Sequence, residues 1–143
     1  MSLLYHYLQL KGFDEFTKYT ESIQPSQPPV YFYFTGEKVD GVSWCPDCVE
    51  AEPIVTAYLS ELEKELIFAY VDVGTREFYD MWYVMFAYFL CFSWKDVNCP
   101  FRTDKRTTLM VIPTIIKWHG VQRLEGSQCN KRDLLQMLFE DED

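Results

Sequence analysis

Trp44-Cys45-Pro46-Asp47-Cys48 is the stretch of this sequence whose reading decides the fold. Two thiols three residues apart share a face of a first helical turn, so Cys45 and Cys48 can close a small disulfide at little geometric cost. The residues that follow read as that helix. Ala51, Ile54, Val55, Tyr58, Leu59 and Leu62 fall at offsets of 0, 3, 4, 7, 8 and 11, one apolar stripe. Pro53 lies inside the stripe and should kink the helix. On the other side, Val30 to Phe34 is a short run of β-branched and aromatic residues, a buried central strand, and Thr35 to Ser43 with Gly36 and Gly41 reads as a loop. Strand and loop thus deliver Cys45 to a helix N-terminus. Free N–H groups and the positive dipole end there favour a thiolate. Cys48, one turn in, is shielded and better placed to resolve a mixed disulfide than to start one. Asp47 adds negative charge close to both sulfurs and should raise the Cys45 pKa, partly offsetting the helix.

Further out, Tyr5 to Leu10 reads as a first strand and Gly12 to Ser22 as a helix with Phe13, Phe16, Tyr19 and Ile23 on one side. Gln24 to Pro29, with three prolines, is a connector. Leu66 to Val73 is a β-type run ending at Gly74, with Asp72 a polar residue at the strand end. An irregular stretch follows. Thr114 to Trp118 and Gln122 to Leu124 flank His119-Gly120, a hairpin signal. Asn130 can cap a last helix in which Leu134, Leu135 and Leu138 face inward. The order β-α-β-α-β, then β-β-α, requires crossovers and a parallel portion, with antiparallel strands added late. The fold class is therefore α/β: a central mixed β-sheet with helices on both faces, one domain spanning 1–143.

The chain has 143 residues, 48% hydrophobic and 17% aromatic, which excludes a disordered or low-complexity class. Its net charge of −9 argues against nucleic acid or an anionic membrane surface as partner. Glu140, Asp141, Glu142 and Asp143 read as a solvated acidic tail. The longest uncharged run, Met81 to Trp94, has 14 residues, where a transmembrane span needs about 20. No basic residue precedes the apolar start and no cleavage site follows it, so a secretory signal is not expected. The expected compartment is the cytoplasm, where thiols stay reduced. Five cysteines, an odd number, argue against a structural disulfide framework.

Half of a zinc site is the alternative for Cys45 and Cys48. A structural zinc wants a second close pair, and Cys91, Cys99, Cys129 and His119 offer none, so no metal is expected. Cys99 and Cys129 read as incidental, and His6 and His119 as surface or turn residues. Trp44, directly before a reactive cysteine, reads as part of the site's rim. Pro113, taken alone, reads as an ordinary trans proline opening a strand.

Trp44 through Cys48, Pro53 eight residues after Cys45, and Ile112-Pro113-Thr114 before a strand together resemble the thioredoxin superfamily. Within it the chain is similar to the 14 kDa thioredoxin-related proteins. Gly12-Phe13, Tyr33 to Gly36, Ser43 to Pro53, Trp94-Lys95-Asp96, Phe101-Arg102, Pro113-Thr114 and Met137 to Phe139 carry that similarity. Trp-Cys-Pro-Asp-Cys is the specific part, since ordinary thioredoxins carry Gly-Pro between the cysteines. Pro46 and Asp47 would then tune the redox poise. The resemblance implies a cytosolic disulfide reductase, with Cys45 as attacking nucleophile and Cys48 as resolving thiol. No cofactor would be bound. Electrons would come from NADPH through thioredoxin reductase, and the other partners would be disulfide-containing peptides, proteins or small molecules such as cystine. The chain would act as a monomer. Pro113 matches the family's cis-proline. A cis bond there lets the backbone of Ile112 pair with a substrate strand and keeps a side chain off the sulfurs.

Two departures stand out. Ordinary thioredoxins carry a buried acid in the strand before the active site, and Val30 to Phe34 has none, which leaves Asp47 or water for that proton transfer. Between the Gly74 strand and Trp94, about fifteen residues at 77 to 92 are added, almost wholly aromatic and apolar. That stretch reads as a lineage-specific insertion or a retained short intron. The competing function is a thioredoxin-fold binding module that holds a signalling or cytoskeletal partner through its surface or through the aromatic stretch at 77 to 92. The intact Cys-x-x-Cys favours the enzyme, because a pure binder needs neither sulfur.

Overall fold

The computed structural model describes residues 5–75, 94 and 98–140. The stretch at 77–92 that reads as an insertion, Lys95, Asp96 and residues 141–143 lie outside them. At the centre is Val30–Thr35 (β2), buried at every position. A run without polar alternation has two apolar faces, and β2 uses both. Tyr5–Lys11 (β1) and Leu66–Asp72 (β5) lie parallel, and β5 pairs in parallel with β2 on its other side. Thr114–Lys117 (β6) runs antiparallel to β2 and to Arg123–Glu125 (β7), giving the order β1-β5-β2-β6-β7. The mixed sheet expected from the element order is the one observed. His119 closes the β6–β7 turn with φ +66°.

Gly12–Ser22 (α1) covers one face. Fully buried Phe16 sets its ring 5.0 Å from Phe32 and 5.6 Å from Phe34. The other face takes Pro46–Glu61 (α2) and Arg132–Glu140 (α4), with Phe139 4.5 Å from Tyr31 and 5.9 Å from Tyr58. Aromatic side chains alternate across β2 between these two cores, as a pleated strand dictates.

Several sequence expectations give way. Residues 35–43 are not all loop. Thr35 ends β2, and Lys38–Val39 (β3) pairs with Val42–Ser43 (β4) in a tight hairpin turning at Asp40-Gly41, both with positive φ. The stretch before β6 contains a short helix, Pro100–Thr103 (α3), begun by a proline whose missing N–H costs nothing there. Within α2, Ile54 sits at the edge of the stripe, 36% exposed, and Cys48 takes a buried place instead. Pro53 lies inside α2, which runs on to Glu61. Asn130 does not cap the last helix. It ends a 3-10 turn at Gly126–Asn130, and its Oδ1 is buried without a partner among the described residues. In α4 Leu135, Leu138 and Phe139 are buried, whereas Leu134 is only partly so. Glu140 is not tail either: it belongs to α4 and its carboxylate accepts a hydrogen bond from the Tyr58 hydroxyl.

The described residues flanking 76–93 are already joined. The Trp94 N–H donates to the Thr75 carbonyl at 2.8 Å, and Arg102 holds Trp94 in place, its Nε donating to the Trp94 carbonyl at 2.7 Å. The guanidinium also stacks 3.8 Å from the Trp94 ring centroid. Removing residues 76–93 and linking Thr75 to Trp94 through a short Gly-Ser joint is therefore expected to leave the fold intact. The melting temperature should stay within a few degrees, since closing a shorter loop costs less entropy. A core role would instead remove several aromatic side chains at about 3–5 kcal/mol each, more than a domain can lose. A thermal melt of the deletion variant separates the two outcomes.

Candidate active site

β2 ends at Thr35, the β3–β4 hairpin follows, and its last residue, Ser43, hands the chain to the start of α2. The Ser43 hydroxyl fixes this junction. It accepts from the Cys45 N–H at 3.1 Å and donates to the Gly36 carbonyl at 3.0 Å. Lys38 Nζ lies 2.6 Å from Glu52 Oε1, which ties the hairpin to the second turn of α2. Cys45 is the N-cap residue of α2. Its sulfur accepts from the Cys48 N–H at 3.2 Å, taking the part a serine or aspartate oxygen usually plays.

That position decides the chemistry of the two thiols. The Cys45 thiol is lowered to about 7, first by the hydrogen bond from the Cys48 side chain, with the N–H groups of Cys48 and Asp47 adding to it. Burial and the Asp47 charge oppose this shift. The helix N–H groups and the Asp47 charge act in the directions the sequence indicates, and the hydrogen bond from the Cys48 side chain decides the balance in favour of the thiolate. Cys48 goes the other way. Donation to the Cys45 sulfur and burial both push its thiol well above the ordinary range. Cys45 is 5% exposed and Cys48 1%.

The rim is built from both sides. Trp44 is half-buried, and its Nε1–H donates to the Gly74 carbonyl at 2.8 Å. A Cβ added at Gly36 would meet Trp44 Cε2 at 2.7 Å and Ser43 Oγ at 3.0 Å, so only glycine lets the ring and hydroxyl close over this turn. Opposite, the Ile112–Pro113 bond is cis, and the Cys45 thiol lies 3.9 Å from the Ile112 carbonyl. Cys129, buried behind this loop, points its thiol at the carbonyls of Pro113 (3.8 Å) and Leu124 (3.6 Å), and burial pushes that thiol up to about 12. Met110 and Val111, just before the cis bond, are 74% and 42% exposed.

Trp44, Cys45, Cys48, Ile112 and Pro113 thus meet at one end of the sheet, with Pro46 at the first position of α2 and Asp47 exposed beside them. Among the described residues no cluster of three histidine, cysteine or carboxylate side chains forms a metal-holding group. Ser43 and Tyr33 carry no site role in the sequence reading, and Cys129 reads there as incidental. Tyr33, buried on β2, donates its hydroxyl to the Cys48 carbonyl at 3.3 Å. Its only sequence signal is a polar-tipped ring, shared with Tyr31, in a largely apolar strand.

A Cys-x-x-Cys pair at the start of a helix, facing a cis-proline across the end of a mixed sheet, defines a thioredoxin-fold protein. Comparison with known proteins narrows the class. Residues 9–89 and 91–141 match the profile of the family described as thioredoxin domain-containing protein 17-like, thioredoxin domain. The chain is 34% identical over 139 residues to thioredoxin domain-containing protein 17 of Homo sapiens, covering 96% of this chain and 98% of that one. It is 34% identical over 136 residues to the Danio rerio protein of the same name, covering 94% and 95% of the two chains. Similarity extends to the thioredoxin-like protein Clot of Arabidopsis thaliana, 29% identical over 113 residues, 77% of this chain and 73% of that one. The chain belongs to the thioredoxin domain-containing protein 17-like family.

Proposed function

We propose that the chain is a disulfide reductase in which Cys45 attacks and Cys48 resolves. The observation that carries this reading is the pair of opposed thiols. The Cys45 thiol, at about 7, is ready to ionise near neutral pH, while the buried Cys48 stays protonated one turn away. In the first step the Cys45 thiolate bonds to one substrate sulfur, the substrate S–S bond breaks, and the other half leaves as a thiolate. In the second, Cys48 loses its proton and attacks Cys45 Sγ. The Cys45–substrate bond breaks, the second substrate half leaves as a thiolate that takes up a proton, and the Cys45–Cys48 disulfide is left holding the two-electron oxidation. Trp44 and the Ile112–Pro113 backbone form the substrate's bed, with Pro46 and Asp47 setting the poise. NADPH, through thioredoxin reductase, would restore the dithiol, and disulfide-bearing peptides, proteins or cystine would be the substrates, in the cytoplasm. The test is cystine or insulin reduction coupled to NADPH and thioredoxin reductase. NADPH consumption that depends on this chain supports the reading, and none, with the chain folded, contradicts it.

The charge of Asp47 gives a sharper expectation. Asp47→Asn keeps the side chain's shape and removes the anion that disfavours the Cys45 thiolate. The midpoint of the iodoacetamide alkylation profile should therefore move below its wild-type position near 7, by under about one pH unit because the charge is exposed. An unchanged or raised midpoint would sink this role.

A further inference from the structure

The second half-reaction needs something the first does not. Cys48 must become a thiolate inside the protein, where an unsolvated anion is costly. On the reading above, each substrate turned over requires this once.

Tyr31, Tyr33 and Thr35 are alternate residues of β2 and so share a face, the one against which α2 packs. Tyr33 already reaches α2 there, at the Cys48 carbonyl. Thr35 is the next residue along that face, toward the end of the strand where α2 begins. Its backbone is fixed, the carbonyl accepting from the Val73 N–H at 3.0 Å. The residue is 4% exposed, and its hydroxyl oxygen has no hydrogen-bond partner among the described residues. A buried hydroxyl left unpaired is costly, and such groups call for an explanation.

We propose that the Thr35 hydroxyl, with the Gly36 N–H, is the donor pair that receives the Cys48 thiolate as it attacks the mixed disulfide. A buried donor on a fixed backbone, close to Cys48 but without a hydrogen bond of ordinary length in the dithiol state, is what a site tuned to a transient anion requires, since little reorganisation is needed when the charge develops. Thr35 and Gly36 are also the two neighbours that lower the Cys48 thiol, against the larger upward push of Cys45 and burial. The proton that leaves Cys48 is matched by the one taken up by the departing substrate thiolate, so Thr35 itself gives up no proton. The other ionisable groups facing Cys48 are Cys45 on its own turn and Tyr33 from β2, whose phenol burial keeps neutral. Cys45 draws on a different donor, the Cys48 N–H, so the two steps are separable.

This inference rests on the reductase reading, and one experiment tells their failures apart. Reduced full chain is mixed with excess dithionitrobenzoate, an aromatic disulfide, and release of the coloured thiolate is followed by stopped flow across pH. Wild type should release a first equivalent as Cys45 attacks and a second as Cys48 resolves. Thr35→Val, which swaps the hydroxyl for a methyl, should leave the first phase unchanged and slow the second about tenfold or more, moving its pH profile upward. Thr35→Ala should behave as Thr35→Val, and Thr35→Ser as wild type, so that the variants sort by hydroxyl and not by volume. A second phase unaffected in a folded Thr35→Val or Thr35→Ala, equal slowing of both phases, or failure of Thr35→Ser to recover would overturn the proposal. Wild type that releases neither equivalent would overturn the reductase reading and this inference together.

Discussion

Replacing Cys48 with serine is expected to turn the protein into a trap that holds its substrate through a stable Cys45 mixed disulfide. Cys45 stays reactive in this variant, since a serine hydroxyl can take over the side-chain donation to its sulfur, the residue-48 N–H still points at it and the N-terminus of α2 is unaltered. What is lost is the sulfur that would displace the substrate, because a serine hydroxyl at neutral pH does not attack a disulfide. Cys45→Ser is expected to do the opposite, abolishing turnover by at least about a thousandfold and forming no adduct. Cys48 cannot stand in, because it is 1% exposed and its thiol is pushed far up. Intact-protein mass spectrometry after incubation with a single-disulfide peptide reads both results. An adduct on Cys45→Ser and none on Cys48→Ser would reverse the assignment.

The largest stability effect is expected at Phe16, in the core under α1. Its ring is fully buried and meets five others, Phe13, Phe32, Phe34, Phe101 and Trp118, with centroids between 5.0 and 6.0 Å. Phe16→Ala removes an aromatic side chain that joins α1 and α3 to β2, and leaves a cavity that the stiff rings around it cannot refill. The expected loss is about 3–5 kcal/mol, a large share of the about 5–15 kcal/mol that holds a domain folded. Urea unfolding should show the midpoint falling sharply with the m-value kept. A loss under about 1 kcal/mol would mean that the core repacks around the gap.

Much of this architecture was legible because the apolar pattern and the packing say the same thing. Val30 to Phe34 reads as a two-faced strand, and β2 is buried on both sides. Cys45 reads as the first residue of a helix, and the structure makes it the cap. The misses share a physical cause: short elements leave no period to read. β3 and β4 are two residues each, too short to separate from the loop that Gly36 and Gly41 indicate. α3 is four residues, inside what reads in sequence as an irregular stretch. Asn130 had the right side chain for a cap in the wrong place, because the 3-10 turn before α4 moved the helix start past it. Within the site, the two cysteines announce themselves by spacing. Ser43, Tyr33 and Thr35 do not, since their part depends on which face of a strand or hairpin meets α2, and that is decided by contacts distant in sequence.

The central claim is that Cys45 is the reactive thiol of the chain and that Cys48 is its protected partner. Site-resolved labelling tests it most directly: the reduced protein is treated near pH 7 with less than one equivalent of iodoacetamide, and peptide mapping then locates the label. Cys45 should carry nearly all of it, with labelling rising through a midpoint of about 7, and Cys48 and Cys129 should react only after unfolding. Label found first on Cys48, or spread evenly over the cysteines of the folded protein, would contradict the account.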